Sequence, residues 1–312
     1  MNRSTKLYAL LAGVVLAAAA CSSSTGGAST APSAAASAAA PSAAPSAAAS
    51  AAASPIVGGL LDKVLKAGVL KVSTDPNYAP QSVQKPDGTY EGFDIDVANE
   101  IAKRLGVPKV EFVTPGWDVI TAGSWAGRWD ISVGSMTITT PRQAILAFTS
   151  PYYYTPAQMT ATTASGITTL DGLAGKTVCV GTATTYQDWL QGKLQSVSLG
   201  PVLTPPAGVK VQTLDTDQSC AQAIAAGRKD AQGFLSSSTT IDAAITNGTP
   251  IVKVGTPVFV EQLAASMDKA GPDPSDFQTA VSKIIDDMHA DGTLTAMSMK
   301  WFKADLTQKP AS

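Results

Sequence analysis

The run at 134–142, GSMTITTPR, concentrates hydroxyl side chains, among them Ser135 and Thr137, just before a guanidinium at Arg142. A buried strand would not favour so many hydroxyls, and an exposed loop would not need the apolar residues between them. Because a guanidinium presents two N–H groups side by side, Arg142 is suited to binding a carboxylate. The alternative is that Thr139 caps a short helix and Arg142 is solvated in its first turn. The run alone leaves both interpretations open.

A second run, GTATTYQD at 181–188, has similar chemistry. Thr184 and Thr185 place hydroxyls where a predicted strand gives way to a helix, and the free N–H groups of a helix N-terminus favour an anion. Two such runs on two separate units could close on one small anionic ligand. The alternative is ordinary capping of the helix by Thr184, which is compatible with that role.

Two aromatic residues also follow predicted strands. Tyr78 comes after the first strand, and Trp117 opens the helix that follows the second. Flat rings at these places can enclose a small ligand between them. The alternative is that each ring packs in the core or at the edge of its domain.

Hydrophobic periodicity predicts the elements that position these residues. The spacing predicts an amphipathic helix at 93–105, where Asp94 or Asp96 can cap the start and Gly106 ends it. Its neighbours complete a β-α-β-α-β order, which implies a parallel α/β sheet. The predicted elements are a strand at 68–75, this helix, a strand at 109–114, a helix at 117–127 and a strand at 130–136.

The pattern then restarts, which indicates a second α/β unit inserted in the first. In such sheets ligands bind beyond the carboxyl ends of the strands, where both hydroxyl-rich runs lie. The chain returns at 255–268 to a long helix that Ser275 is expected to cap. The second unit is predicted to contain a strand at 176–181, a helix at 185–195, a strand at 209–215, a helix at 219–227 and a strand at 230–236.

The N-terminal residues differ in composition from the rest of the chain. A basic start and a short apolar segment predict a signal peptide at 1–20. The small residues before Cys21 resemble a lipoprotein cleavage site with Cys21 as the lipidated N-terminus, although a secretory signal cleaved nearby is an alternative. The segment at 21–55 has no charge and no large apolar side chain, which predicts a disordered Ala/Ser/Pro tether.

Charge and cysteine content narrow the function classes. The formal net charge is −2 without a basic stripe, which gives no support for nucleic-acid binding. In an exported chain, Cys179 and Cys220 are expected to form a disulfide, with two buried free thiols as the alternative. The sequence contains no metal-ligand cluster and no nucleotide-binding loop, so neither a metal nor a cofactor is expected.

Several motifs resemble the solute-binding proteins of polar amino-acid ABC importers, family 3, over nearly all of residues 60–303. They are TDPNYAP with GFDIDVANEIAKRLG, GSMTITTPR with FTSPYYY, and KWF near the end. The resemblance implies the two-lobed α/β fold of type II periplasmic binding proteins, with the second lobe inserted in the first and two hinge crossings near 155–161 and 255–262. It places lobe 1 at 56–157 and 259–312, and lobe 2 at 158–258.

The resemblance also assigns roles to cleft residues. It implies that Arg142 binds the α-carboxylate of the ligand and that Asp75 contacts a ligand side chain that varies with ligand class. It implies hydroxyl and backbone contacts from Ser135 and Thr137, and contacts to the ligand carboxylate from Thr184 and Thr185 on the second lobe. Tyr78 and Trp117 are the implied aromatic clamp.

Three positions depart from the family pattern. The family commonly has a second aspartate five residues after the one matched by Asp230, and this second acid binds the ligand's α-ammonium. Here that position is Leu235. The ligand is therefore expected either to lack a free α-ammonium or to pair its positive charge with the carboxylate of Asp75. Ala183 stands where the family usually has glycine, and Gln81 replaces a common phenylalanine.

The resemblance implies a lipoprotein at the outer face of the cytoplasmic membrane that captures a small polar amino acid or related carboxylate. It would deliver this ligand, as a monomer, to an ABC permease. An exported enzyme resembling cyclohexadienyl dehydratase is the alternative, and it would need an acid/base pair in the cleft. Asp75 is the one strong carboxylate predicted there, and His289, the single histidine, is predicted at the surface. A ligand-sensing module is a third alternative.

Overall fold

The computed structural model describes residues 54–196 and 198–310. The signal peptide predicted at 1–20, Cys21 and nearly all of the predicted tether lie outside these residues. The described part of the chain forms twelve β-strands and nine α-helices, and none of these helices is long and apolar enough to cross a membrane.

The strands include all those predicted from the sequence. In chain order they are β1 (Val69–Ser73), β2 (Asn77–Tyr78), β3 (Ser82–Gln84), β4 (Tyr90–Glu91), β5 (Lys109–Val113), β6 (Ile131–Thr137), β7 (Leu146–Thr162), β8 (Thr177–Gly181), β9 (Lys210–Leu214), β10 (Gly233–Ser237), β11 (Ile251–Lys253) and β12 (Phe259–Asp268). The helices are α1 (Leu60–Ala67), α2 (Phe93–Leu105), α3 (Trp117–Thr121), α4 (Thr140–Ile145), α5 (Thr185–Leu190), α6 (Asp217–Ala225), α7 (Ser238–Thr246), α8 (Ser275–Ala290) and α9 (Thr293–Phe302).

One mixed sheet runs through the fold in the order β5-β1-β6-β12-β7-β10-β8-β9, with β11 beside β7, and β2, β3 and β4 form a small separate sheet. β1 pairs in parallel with β5 and β6, and β8 pairs in parallel with β9 and β10. These are the two parallel units that the sequence predicts. Between them lie β7 and β12, which pair with each other in antiparallel fashion.

The long strand β7 connects the two groups of parallel strands. Its residues 146–157 pair with β12, and its residues 157–161 pair with β10. β12 pairs on its other side with β6. The chain therefore passes from the first group to the second along β7 and returns to β6 along β12, near the two predicted crossings.

Separate apolar clusters lie on either side of these connecting strands. In the first, α2 and α8 bury Phe93 and Phe277 against β1 and against Tyr153 of β7. In the second, Trp189 of α5 and Phe259 pack with β8, while a further cluster lies under α6. Each half of the molecule thus buries its own apolar residues, as expected for two domains.

Helix α2 occupies the predicted residues, but no acid caps it. Gly92 precedes it with a φ of 135°, and a Cβ there would lie 2.1 Å from the carbonyl oxygen of Gln81, so this position requires glycine. Asp94 bonds instead to buried hydroxyls, and Asp96 accepts the indole N–H of Trp301 at 2.7 Å. The predicted caps are wrong because tertiary contacts use both carboxylates.

Other element boundaries also differ from the prediction. Helix α3 ends at Thr121 because left-handed residues follow, among them Ser124 with a φ of 55°. Helix α5 ends at Leu190, five residues before its predicted end. Ser275 is the first residue of α8, and its side chain makes no cap, so the predicted cap at Ser275 is wrong.

The predicted disulfide is confirmed. Cys179 on β8 and Cys220 on α6 are joined, with their Cα atoms 5.8 Å apart. Both residues are buried in one apolar cluster. The bond therefore ties α6, whose first residue lies at the candidate site described next, to the central strand of the second half.

Candidate functional site

A pocket lies between the two groups of parallel strands, at the carboxyl ends of β1, β6, β8 and β9. It encloses about 470 Å³ of space, part of it open to solvent. The structure brings together in its wall every residue that the sequence assigns to ligand contact, namely Asp75, Tyr78, Trp117, Ser135, Thr137, Arg142, Thr184 and Thr185. The remaining lining residues are Gly134, Tyr186, Asp215, Thr216, Asp217 and Glu261.

Arg142 is buried in the first turn of α4. The hydroxyl of Thr139 accepts its backbone N–H at 3.2 Å, so Thr139 does cap the helix. The side chain is only 7% exposed, however, and the interpretation of Arg142 as a solvated residue is wrong. Nη1 donates to the carbonyl of Thr137 and Nη2 to that of Ala183, both at 3.0 Å. Burial lowers the pKa of Arg142 to about 10, which still leaves it cationic at neutral pH.

Ser135 lies at a bulge of β6 with a φ of 55°, a conformation that residues other than glycine rarely adopt. Its hydroxyl donates to Asp94 at 2.8 Å and accepts from Tyr153 at 2.7 Å. Tyr152 donates to the other oxygen of Asp94 and accepts the backbone N–H of Ser135, each at 2.8 Å. This buried network fixes the pocket wall from behind. Burial raises the pKa of Asp94 to about 7, against the effect of the two hydroxyls.

The second hydroxyl-rich run faces the first across the pocket. Thr184 caps α5 by accepting the N–H of Gln187 at 3.2 Å, and it donates to the carbonyl of Gly181 at 2.8 Å. Its hydroxyl is therefore engaged locally, as the capping alternative predicts. Ala183, in the left-handed region at φ 59°, points its carbonyl at Arg142.

Glu261 of β12 lies at the centre of the site and is 1% exposed. Its Oε1 accepts the hydroxyls of Thr137 at 2.5 Å and Thr185 at 2.7 Å, one from each half of the molecule. Its Oε2 accepts the hydroxyl of Tyr186 at 2.7 Å. Burial raises the pKa of Glu261, whereas these hydroxyls and the charge of Arg142 oppose that shift. The hydroxyls of Thr137 and Thr185 thus orient a buried acid.

Asp217 begins α6 and is also buried. It accepts the N–H of Gly181 at 2.5 Å and the hydroxyl of Ser236 at 3.1 Å. A Cβ at Gly181 would lie 2.8 Å from the same oxygen, so glycine permits this close approach. Burial raises the pKa of Asp217 to about 7, and the charges of Glu261 and Asp75 add to the shift. Burial likewise raises the pKa of Asp75.

The two aromatic residues predicted to clamp a ligand contact both halves. The indole N–H of Trp117 donates to the carbonyl of Ala183 at 3.2 Å, and its ring centroid lies 5.5 Å from the guanidinium carbon of Arg142. The hydroxyl of Tyr78 donates to Ser237 at 3.3 Å. Each ring therefore packs against neighbouring residues and also lines the pocket. Burial raises the pKa of Tyr78, which keeps its hydroxyl protonated.

Leu235 does not face the pocket. It is fully buried in the apolar cluster of the second half, while its neighbour Ser236 bonds to Asp217. Successive strand residues point to opposite faces, so Leu235 lies on the face away from the site. The expectation that residue 235 decides how a ligand amine is held is wrong. The expectation that Asp75 is the one strong cleft carboxylate is also wrong, because further acids line the pocket.

Three of the acids were missed for different reasons. Asp215 and Asp217 directly follow β9, and the rule that sites form at the carboxyl ends of strands would have found them. Glu261 lies inside a buried strand, where its only sequence signal is a lone acid among apolar residues. Within the ranges 54–196 and 198–310, no three His, Cys, Asp or Glu residues are grouped so that they could hold a metal ion.

Comparisons with known proteins agree with this geometry. A sequence profile described as bacterial extracellular solute-binding proteins, family 3, matches residues 70–304. The L-cystine-binding protein of Escherichia coli strain K12 is 31% identical over 252 residues, which cover 80% of this chain and 88% of that protein.

Solved structures of amino-acid-binding proteins have a similar fold. A mutant of ArgBP from T. maritima has a TM-score of 0.66 and 25% identity, with coverage of 78% of this chain and 100% of that one. An ancestral amino-acid-binding protein, described as a precursor of cyclohexadienyl dehydratase, has a TM-score of 0.65 and 29% identity, with coverage of 78% and 99%. The predicted two-lobed α/β fold of type II is confirmed.

Proposed function

The chain belongs to family 3 of the bacterial extracellular solute-binding proteins, and we propose that it captures a small polar amino acid, or a related carboxylate, between two closing lobes. The relatives support an amino-acid ligand: one is named as an L-cystine-binding protein and another as an amino-acid-binding protein. The family is extracytoplasmic, and the curated relative compared above is named as a binding protein.

The buried guanidinium of Arg142 is the observation that carries this proposal. It contacts two backbone carbonyls, and among the described residues no carboxylate lies within ion-pair distance of it. The charges of Glu261 and Asp188 act on it only from beyond ion-pair distance. A buried charge without a paired partner is costly, and a carboxylate that accepts two parallel N–H bonds is the ligand group that best offsets it. Trp117 packs over the guanidinium and restricts where such a group can enter.

The carboxylate requirement can be tested with matched ligands. Calorimetry should compare amino acids with the amines that lack only the carboxylate, for example L-arginine with agmatine and L-lysine with cadaverine. We expect the amine to bind at least about 30-fold more weakly, the equivalent of about 2 kcal/mol for a charged hydrogen-bonded pair. Equal binding of acid and amine would contradict the role of Arg142, and an absence of binding by any amino acid would contradict the proposed function.

We propose that residues 56–157 and 259–312 form lobe 1 and residues 158–258 form lobe 2, with β7 and β12 as the hinge. The separate apolar clusters support this division. Contacts across the pocket support closure: Gln81 donates to Thr239 at 2.7 Å, and Arg142 donates to Ala183. The bond from Gln81 is made at a position where the resemblance to the family implies a phenylalanine.

Delivery to a membrane permease completes the proposed function. The sequence around Cys21 supports a lipid anchor at the outer face of the cytoplasmic membrane, and the charge-free tether supports a domain held off that surface. As a flexible coil, the segment would span roughly 30 Å on average. The expected partner is the ABC permease that imports the ligand.

An exported enzyme on the same fold is the second candidate, because the pocket contains a possible acid/base pair. Asp217, with its pKa raised by burial to about 7, shares the pocket with the buried Glu261. One structural relative is described as a precursor of cyclohexadienyl dehydratase. Mass spectrometry of a bound ligand before and after long incubation separates the candidates: an unchanged ligand supports binding, and a converted ligand supports catalysis.

A further inference from the structure

The charges lining the pocket are strongly unequal. Four carboxylates line it, from Asp75, Asp215, Asp217 and Glu261, against the single guanidinium of Arg142. A ligand carboxylate would use that guanidinium. A zwitterionic ligand adds no net charge, so it would leave the acids in excess after binding.

No lysine or arginine forms an ion pair with the buried acids Asp217 and Glu261 in the described part of the chain, although the charge of Arg142 reaches Glu261 from farther away. Neutral groups hold both: three hydroxyls for Glu261, and one N–H and one hydroxyl for Asp217. Such donors fix the carboxylates in position but bring no positive charge, so the acids remain in excess over the single guanidinium of Arg142. A carboxylate has about four acceptor sites, so each acid keeps capacity for a further donor.

These acids are close enough to repel one another. The charges of Glu261 and Asp75 raise the pKa of Asp217, in addition to the larger effect of burial. A buried carboxylate in this situation takes up either a proton or a cationic partner. Binding of a cation is therefore the alternative to uptake of a proton, and each acid of the group favours it once ionised.

The arrangement does not suit a metal ion. Three acids would have to converge on one point, and no such group exists among residues 54–196 and 198–310. The acids come instead from different elements: Asp75 follows β1, Asp217 begins α6, and Glu261 lies in β12. Separated acids match cationic groups that are spread along an organic ligand.

We propose that the pocket selects a ligand of net positive charge, with one carboxylate for Arg142 and two cationic nitrogen groups for Asp217, Glu261 and Asp75. A basic amino acid has this chemistry. The inference rests on the proposed function and narrows its substrate class.

Amino acids of similar shape that lack only the side-chain charge give the most direct test. L-Citrulline matches L-arginine but carries a neutral urea group, and L-norleucine matches the carbon chain of L-lysine. With the full mature protein in calorimetry at pH 7.5, we expect L-arginine or L-lysine to bind at least about tenfold more tightly than its neutral counterpart, the lower range for one charged hydrogen bond. Both comparisons use the native protein, so neither depends on a variant that folds.

Three results would overturn the inference. Citrulline or norleucine binding as tightly as its charged counterpart would remove the need for a second cation and would leave the proposed function standing. Tighter binding of L-cystine than of every basic amino acid would also overturn the inference and leave the proposed function standing. L-Cystine has two ammonium groups and two carboxylates, so it carries no net positive charge. Binding of no amino acid would remove the proposed function and this inference together.

Variants of Asp217 and Glu261 test whether these acids cause the preference for a positively charged ligand. Asp217→Asn and Glu261→Gln each keep the side-chain shape, and we expect each to reduce the ratio of arginine to citrulline affinity at least about fivefold. Asp286→Asn removes the same charge from an exposed site on α8 and is the matched control. An unchanged ratio in both folded pocket variants would overturn the assignment.

Discussion

The Nη2 atom of Arg142 lies 3.0 Å from the carbonyl oxygen of Ala183, so a residue of α4 is bonded across the pocket to the loop before α5. Trp117 donates to the same oxygen at 3.2 Å. The φ of 59° at Ala183 turns this carbonyl toward both groups. Since arginine has five N–H donors, others remain for a ligand carboxylate. In the proposed function, ligand binding and lobe closure would therefore share one guanidinium.

Arg142→Ala is expected to weaken amino-acid binding by about 2–4 kcal/mol, because a buried carboxylate would lose its charged partner. Titration calorimetry measures the loss, and circular dichroism establishes that the variant is folded. The control is Arg128→Ala, which removes an exposed guanidinium packed on Trp129, outside the pocket. Normal affinity in a folded Arg142 variant would show that this residue has a structural role only.

The unliganded protein is expected to lose stability as the pH rises from about 4 to about 7. Burial raises the pKa of Asp94 from 3.8 to about 7, so in this window the folded state holds a proton that the unfolded chain has lost. The stabilisation from this proton is complete below the pKa of Asp94 in the unfolded chain. It is lost as the pH rises through the pKa of Asp94 in the folded protein. One such proton gives a slope of about 1.4 kcal/mol per pH unit, and Asp217 acts in the same direction.

Urea denaturation at several pH values measures this slope. Asp94→Asn cannot ionise and should flatten the dependence, whereas the exposed Asp286→Asn should leave it unchanged. If the Asp94 variant had the wild-type slope, the carboxylate would be ionised in the folded protein throughout the range.

The sequence predicts much of the fold because its signals are local. The spacing of Phe93, Val97, Ile101 and Leu105 defines α2, and the left-handed Gly106 ends it as predicted. The caps were predicted wrongly because Asp94 is drawn into a contact with Ser135, which is distant in sequence. A local rule cannot anticipate which tertiary partner will compete for a side chain.

The site shows the same limit. The hydroxyl-rich runs and Arg142 were found because each follows a recognisable strand. Glu261 was missed because its hydroxyl partners Thr137 and Thr185 come from distant segments. Leu235 was misjudged because matching a family motif by residue count does not fix which strand face a residue occupies, and one position changes the face.

Replacing both Cys179 and Cys220 by alanine is expected to lower the free energy of unfolding by roughly 3–4 kcal/mol, because the bridge closes a loop between residues 41 apart in sequence. Urea denaturation measures the difference, and reductant should destabilise the native protein but not the double variant. Two reactive thiols in the unfolded, unreduced protein would contradict the bond.

Cys21 is expected to be the lipidated N-terminus of the mature protein. Intact-mass analysis of the membrane fraction should give a chain that begins at this residue and carries a diacylglyceryl group, and Cys21→Ser should release the protein from the membrane. A mature chain that begins elsewhere and is recovered without lipid would contradict the anchor.

The pocket is expected to retain one small carboxylate ligand through Arg142. Protein purified gently from its native host, then denatured, should release this ligand for identification by mass spectrometry, beside the Arg142→Ala and Arg128→Ala variants. We expect a single amino-acid-like carboxylate, which the wild-type protein and Arg128→Ala retain and Arg142→Ala does not. A ligand without a carboxylate, or equal retention by all three proteins, would contradict it.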